Sequence, residues 1–175
     1  MMETEINPKY LRHSQMHQKI SLLFALIEFE KYGSQYMSHM IHCSNYLGSR
    51  LREKGYDVAD VHGQISRTHQ IFIRCSKEEM NTIYNNAYKL EVTLNKKHKA
   101  LFYGYGIRLG TQEIARYDWN DAALDTIAEV LIHLSDKDIN IDEVKQLIHL
   151  LPPKTISYTF SDNIVNQFNN LSIYS

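Results

Sequence analysis

One arginine lies inside a short apolar stretch, Gly106-Ile107-Arg108-Leu109-Gly110, and its side chain is the best placed in the chain to do chemistry. The stretch predicts a buried strand, and a cation inside such a strand is costly unless it meets an anion. The guanidinium fork matches a carboxylate through two parallel hydrogen bonds. From spacing alone, Arg108 is equally suited to bind a ligand's carboxylate or to pair with an Asp or Glu of the chain itself.

The other reactive side chains give weaker patterns. His39 and His42 are three residues apart on a predicted helix, but no third ligand follows at a matching spacing, so we expect no metal site. Cys43 and Cys75 also lack metal-ligand spacing and are typical of buried small residues in a reducing compartment, although a single disulfide stays open. His69, at the start of a predicted strand, is expected to be structural.

The composition describes an ordinary globular chain of 175 residues, with 43% hydrophobic and 22% charged residues. The 19 basic and 20 acidic residues give a net charge of -1, which favours neither nucleic acid nor an anionic membrane as a partner. The polar N-terminus does not resemble a signal peptide, and the longest apolar run, residues 20–29, is too short to span a bilayer. We therefore expect a cytoplasmic protein.

Helical periodicity dominates the first third of the chain. Within residues 20–29, apolar side chains recur at i, i+3, i+4 and i+7 and also fill neighbouring positions, so this helix is apolar around most of its girth. Such a helix is buried on more than one side, which indicates a contact with another subunit. Tyr32-Gly33 predicts a stop or kink, and a second helix is expected over residues 34–54, with Gly55 as its cap.

The remaining pattern predicts an α+β fold, with two long N-terminal helices and a small, mostly antiparallel sheet covered by helices. We expect an N-terminal arm over residues 1–12, the α+β unit over 13–151 and a C-terminal extension over 152–175, which could add a strand at 156–160. The Lys-rich residues 95–99 are expected to form a solvated loop. The other predicted strands are 57–63, 68–75, 91–94 and 106–110, and the other predicted helices are 76–89, 120–134 and 138–151.

The stretch GIRLGTQEIAR resembles the small C-terminal domain of serine hydroxymethyltransferase and its relatives, over about residues 10–151. These are pyridoxal-phosphate enzymes of fold type I that act on glycine, serine, threonine and other β-hydroxy amino acids. In their Gly-Ile-Arg-hydrophobic-Gly-Thr pattern the arginine holds the substrate's α-carboxylate, and the matching residue here is Arg108. Gln112-Glu113 is more similar to the threonine transaldolase branch, because the folate-dependent enzymes usually carry Pro-Ala at these positions.

Two departures from the family pattern limit what the resemblance implies. The family has a Pro-Gly-x-Gln-Gly-Gly loop that reaches the cofactor phosphate of a neighbouring subunit, and this chain has Arg12 to His17 there. Gln15 matches, but the glycines that let a phosphate approach are missing, so no cofactor-binding residue is assigned. The segment after Asn95 is shorter than the loop that helps to hold folate in the family, which does not favour a folate site.

The family's Schiff-base lysine motif is missing from this sequence, together with its Asp and His partners, so we assign no catalytic residue and expect no activity from the chain alone. One hypothesis is a split enzyme, in which a separate large-domain chain brings pyridoxal phosphate and this chain, beginning with Met near the family's domain junction, binds the amino-acid substrate. The alternative is a non-catalytic interaction or scaffolding module, for example a homodimer through the first helix. A truncated product without a role stays open as a third.

Overall fold

The computed structural model describes residues 16–99 and 104–160. The chain divides into two compact units, one formed by residues 1–34 with 158–175 and the other by residues 35–157. The second unit contains the sheet and Arg108. The predicted arm (residues 1–12), Gln15 and residues 161–175 of the predicted extension lie outside the described residues.

The N-terminal helical region is one continuous helix, α1, at Met16–Glu53, so the prediction of two helices is wrong. Gly33 does not end the helix. The ring of Phe29 lies 3.1 Å from the place where a Cβ on Gly33 would stand, so the glycine makes room for an aromatic side chain one turn earlier. The predicted end is confirmed, because Gly55 follows the helix with a φ of 95°, a conformation that glycine adopts readily.

The sheet has four strands, β1 at Asp57–Val58, β2 at Gln70–Cys75, β3 at Asn95–Lys99 and β4 at Gly104–Gly110. Their spatial order is β1-β2-β4-β3, and each neighbouring pair is antiparallel. Strand β4 is therefore central, with β2 on one side and the edge strand β3 on the other. The predicted α+β class with a small antiparallel sheet is confirmed.

Four further helices follow in the described part of the chain: α2 at Lys77–Lys89, α3 at Gln112–Arg116, α4 at Asp121–His133 and α5 at Ile141–His149. Local capping signals set their starts. Ser76 and Glu79 form a capping box at the start of α2, and Asn120 accepts a hydrogen bond from the N–H of Ala123 at the start of α4. The short helix α3 was not predicted.

One face of the sheet carries the hydrophobic core of this unit. Side chains of β2 and β4 on this face are buried against α1, α2, α4 and α5. Burying an aliphatic side chain of this size contributes about 1.5–3 kcal/mol, so this face holds the sheet and helices together. Its most buried members, each 3% exposed or less, are Leu47, Leu51, Val58, Ile71, Ile73, Ala87, Ile107, Ala128, Leu134 and Val144.

Two predictions around the sheet edge are wrong. Residues 91–94 form a turn and an irregular segment instead of a strand, and the Lys-rich residues 95–99 form strand β3 instead of a loop. Charged side chains are common on edge strands because they discourage pairing with other molecules. Residues 156–160 contain no strand.

The first part of α1, up to Ser34, carries a set of exposed apolar side chains. Their exposed fractions in the chain alone run from 37% for Ile27 to 65% for Met16. Within the described residues, no helix combines the length and the apolar character needed to cross a membrane. We call this set the apolar helix surface, and its members are Met16, Ile20, Leu22, Leu23, Phe24, Leu26, Ile27 and Phe29.

Candidate functional site

Arg108 lies in the middle of the central strand β4, between Phe72 of β2 and Asn95 of β3. Its neighbours Ile107 and Leu109 are buried in the core, and successive side chains of a strand point to opposite faces. Arg108 is half-buried and therefore points to the sheet face opposite the core. We call this the open face, because in the part of the chain that the structure describes all helices that contact the sheet's core cluster pack on the other side.

Glycines surround Arg108 along its own strand on the open face. Gly106 and Gly110 are two residues away in each direction, so they share the face of Arg108 and place no side chain beside the guanidinium. A Cβ on Gly110 would lie only 2.5 Å from Oε1 of Gln112 and 3.2 Å from its Nε2. The amide of Gln112 therefore occupies the space above Gly110, on the same face as Arg108.

The open face is rich in positive charge. Arg74 and Lys97 are the cross-strand partners of Gly106, so both point to the face of Arg108. Arg74 binds Asp57 of β1, with 2.9 Å between Nη1 and Oδ1. Beside these strands, Phe72 and Arg74 line an open hollow of about 480 Å³ whose other walls come from residues 59–68.

The acidic residues nearest to this face are already engaged. Asp57 binds Arg74, and Asp60, in the wall of the hollow, accepts a hydrogen bond of 2.8 Å from Nη2 of Arg52. Hydrogen bonding to the N–H of Gly63, together with Arg52, lowers the pKa of Asp60, so this carboxylate is ionised at neutral pH. Within residues 16–99 and 104–160, Arg108 makes no ion pair or side-chain hydrogen bond. An internal acidic partner, one of the two interpretations open from the sequence, is therefore not found in this part of the chain.

Thr111 fixes the end of the strand that carries Arg108. Its side chain is completely buried, and its hydroxyl lies 3.2 Å from the carbonyl oxygens of both Met40 in α1 and His69. Its backbone N–H also donates to the carbonyl of His69 at 2.9 Å. The Thr of the GIRLGT stretch therefore ties β4 to α1 and to the start of β2, and His69 contributes to this junction through its backbone.

The other candidates from the sequence are placed in structural contacts. His42 pairs with Asp121 at 2.7 Å, and His39 lies 3.6 Å from Asp118. No group of three or more His, Cys, Asp or Glu able to hold a metal ion occurs among the described residues. Cys43 is buried, and burial, reinforced by the charge of Asp121, raises its pKa to about 11. A thiol with such a pKa is a poor nucleophile at neutral pH.

The described residues do not form a holding site for pyridoxal phosphate. A Schiff-base lysine works from a desolvated position, and none of the described lysine side chains is fully buried. Lys54 and Lys137 are engaged with Glu129 and Glu78, and Lys96 lies over the ring of Tyr84 at 4.2 Å. The residues present therefore fit one part of an amino-acid site, an arginine able to bind a carboxylate. They do not include a lysine placed to attach the cofactor. The loop of Arg12 and Gln15, named from the sequence for its possible phosphate role, lies outside the described residues.

Sequence reasoning missed two features of this site. It identified Arg108 but not the position of the Gln112 amide, and it assigned Asn95 to a loop although Asn95 lies on the strand beside Arg108. The sequence did carry a signal for the Gln112 amide. The spacing Gly-x-Arg-x-Gly puts both glycines on the arginine's face of a strand, so position 110 has no side chain of its own there and a nearby side chain can occupy that space. The position of Asn95 depends on the strand register, which no local pattern reports.

The described residues thus form a small α+β domain in which an arginine lies between two glycines on the open face of the sheet. No protein family model matches the chain. It is 26% identical to a serine hydroxymethyltransferase of Methanobrevibacter smithii, in an alignment that covers 98% of this chain and 42% of that protein. Serine hydroxymethyltransferases of Methanocaldococcus jannaschii and Methanocella arvoryzae are each 24% identical, over 92% and 96% of this chain.

The chain spans about 40% of the length of these curated relatives, and it is similar to their C-terminal portion. A crystal structure of L-threonine transaldolase from Pseudomonas fluorescens, in the internal aldimine state, superimposes with a TM-score of 0.69. That match has 18% sequence identity and covers 84% of this chain and 36% of the other. The predicted resemblance and the fold-type I small-domain architecture are both confirmed.

Proposed function

We propose that this chain is the substrate-carboxylate-binding part of a split pyridoxal-phosphate enzyme acting on glycine or a β-hydroxy amino acid. Arg108 grips the α-carboxylate of the substrate through a bidentate pair. A second polypeptide contributes the large domain, with the cofactor and the lysine that holds it. The reaction class is aldol-type cleavage or transfer, as the names of the similar hydroxymethyltransferases and of the transaldolase imply for those proteins.

The observation that carries the proposal is the state of Arg108. Arg108 is half-buried on a central strand, and its guanidinium lacks a carboxylate partner among the described residues. Partial burial raises the cost of an unpaired cation, so a ligand anion at this position would be bound favourably. The positive charge of Lys97 on the same face raises the local concentration of that anion, whereas the charge of Arg74 is already paired with Asp57.

Two features support a second polypeptide. The described residues offer no buried lysine for the cofactor. The apolar helix surface supplies a region that a partner would cover, because exposed contiguous apolar side chains of this kind mark interaction sites. In this arrangement Arg108 contributes by orientation: it fixes one end of the amino acid and leaves the bond changes to groups on the partner.

The first experiment tests the assembly. The chain is co-expressed with a candidate large-domain protein that carries the family's Schiff-base lysine motif, such as one encoded in a neighbouring reading frame. We expect a co-purifying yellow complex, because the imine of the bound cofactor absorbs visible light. A stable but colourless pair would contradict the split enzyme. An ordered homodimer that leaves no surface for a large domain would favour the alternative, a non-catalytic module.

The second experiment tests Arg108 in that complex. Arg108→Ala should lower kcat/KM for the amino-acid substrate by a factor that corresponds to about 2–5 kcal/mol of lost transition-state stabilisation. This is the usual cost of truncating one side of a desolvated charge pair. Lys97→Gln is the matched control, because it removes one positive charge from the same face without removing the fork. The control should have a much smaller effect. Equal losses in the two variants would indicate general electrostatic attraction instead of a carboxylate grip.

A further inference from the structure

The amide of Gln112 lies next to the proposed carboxylate site. Its Oε1 and Nε2 stand over Gly110, 2.5 and 3.2 Å from where a Cβ of that residue would be. Gly110 is two residues beyond Arg108 on the same strand and shares its face. A Cβ at position 110 would therefore shift the amide end of the Gln112 side chain from this position.

The backbone of Gln112 is held firmly although its side chain is exposed. Gln112 is the first residue of α3, directly after the buried anchor Thr111, and its carbonyl accepts a hydrogen bond of 3.0 Å from the hydroxyl of Tyr36. Its side-chain amide makes no hydrogen bond to any described residue. An amide has two N–H donors, so Gln112 has donors available beside Arg108.

We propose that Gln112 is a second contact for the ligand's carboxylate, which rests on the function proposed for Arg108. The bidentate pair with Arg108 uses one lone pair on each carboxylate oxygen and leaves the outer lone pairs available. Nε2 of Gln112 donates to the outer lone pair of the oxygen on the Gly110 side. Gln112 is thus a positioning residue that fixes the plane of the carboxylate. With the Arg108 guanidinium as its only contact, that plane could tilt.

Because the acceptor is charged, this hydrogen bond is stronger than one between neutral groups, and its loss should weaken binding by about 10- to 100-fold. Gly110→Ala should have a similar effect, because its Cβ would push the Gln112 amide aside. The double variant should then lose little more than either single one, since both act through the same contact. Gln112→Glu should weaken binding further, because it puts an anion beside Arg108.

The test is an NMR titration of the full ¹⁵N-labelled chain with sodium acetate as the carboxylate probe and sodium chloride as the salt control. We expect the side-chain N–H signals of Arg108 and Gln112 to shift with one shared Kd. Gln112→Ala and Gly110→Ala should raise the Kd seen at Arg108. Gln70→Ala is the matched control, since Gln70 pairs with Gly110 across the sheet but contacts His69, and it should change Kd by roughly twofold or less.

Each outcome separates this inference from the function on which it rests. If Arg108 responds to acetate and Gln112 neither shifts nor affects the Kd, Gln112 is not a contact and the role of Arg108 stands. If neither signal responds beyond the chloride control, the carboxylate site itself is refuted. Additive losses in the Gly110→Ala, Gln112→Ala double variant would show that the glycine acts in another way, and would overturn the placement of the amide over Gly110.

Discussion

The two faces of strand β4 have opposite characters although their residues alternate along one segment. Ile107 and Leu109 are buried against helices, whereas Arg108 stands between Gly106 and Gly110 on the open face. Apolar burial on the first face stabilises the fold. On the second face, the half-buried cation and the two glycines in a strand are unfavourable for stability on general grounds.

For the proposed carboxylate site, this difference means that the core face can hold Arg108 in place without a contribution from the open face. The strand is fixed by its buried face and by the Thr111 anchor at its end, so the open face need not contribute to stability. Its residues are then free to be chosen for a ligand. The contrast predicts that substitutions on the core face will lower the free energy of unfolding, whereas substitutions of neighbouring residues on the open face will mainly weaken carboxylate binding.

The largest effect on stability is expected for Ile107→Ala. The side chain is almost completely buried in the centre of the core, so its removal loses burial and leaves a cavity. We expect a loss of about 2–5 kcal/mol in the free energy of unfolding, measured by urea denaturation followed by circular dichroism. A loss below about 1 kcal/mol would mean that this face does not hold the unit together, and the comparison of the two faces would fail.

The next effect is expected for Thr111→Val, which keeps the shape of the side chain and removes its hydroxyl. The buried carbonyls of Met40 and His69 lose a donor, and the free energy of unfolding should fall by about 1–3 kcal/mol. Thr126→Val is the control, because Thr126 donates to the carbonyl of Ala122 on a helix surface. The control should change stability by about 0.5 kcal/mol or less. Equal changes in both would show that Thr111 is not a special anchor.

Local signals in the sequence were sufficient for much of this fold. The glycine cap after α1, Gly55, was identified correctly, because a helix cap depends on residues within one helical turn. The strand with Arg108 was also identified from its pattern. These features are determined by chemistry between near neighbours, which a single sequence displays directly.

Features that depend on distant residues were missed. Gly33 looked like a helix end because glycine is a weak helix former, but its contact with Phe29 only exists once the helix has formed. The Lys-rich strand β3 looked like a loop, because the pairing with β4 that makes it a strand is set by the sheet and not by its own composition. For the same reason the neighbours of Arg108 across the sheet could not be predicted.

A smaller effect, on acid stability, is expected at the start of α2, which covers the buried face. The backbone N–H of Ser76 and then its side chain lower the pKa of Glu79 below its ordinary 4.5. Because the pKa of Glu79 is lower in the folded state, its ionised carboxylate stabilises the fold at any pH above the pKa of the unfolded chain. This contribution is lost as the pH falls through the lower pKa of the folded chain. Glu79→Gln should therefore flatten the loss of stability below about pH 4.5.

The size of that acid effect is limited because Glu79 is exposed and solvent screens its interactions, so we expect less than about 1 kcal/mol between neutral and acid pH. The measurement is the urea midpoint as a function of pH. Glu143→Gln is a suitable control. Glu143 lies in the first turn of α5 and its N–H donates to the side chain of the cap residue Asn140, but within the described residues its carboxylate accepts no hydrogen bond from the Asn140 N–H. An identical flattening in the control would mean that the acid effect arises from net charge and not from the capping box.

The smallest effect on stability is expected for Arg108→Gln. If Arg108 paired with an internal carboxylate, this change would leave a partly buried anion unpaired and cost several kcal/mol. Because no described Asp or Glu contacts it, the free energy of unfolding should change by about 0.5 kcal/mol or less, while the acetate response at the open face disappears. Arg74→Gln provides the contrast, since it removes the partner of Asp57 on the same face. Should Arg108→Gln destabilise the chain more than Arg74→Gln does, Arg108 would have to be assigned to the fold, and the separation between a stabilising face and a binding face would no longer hold.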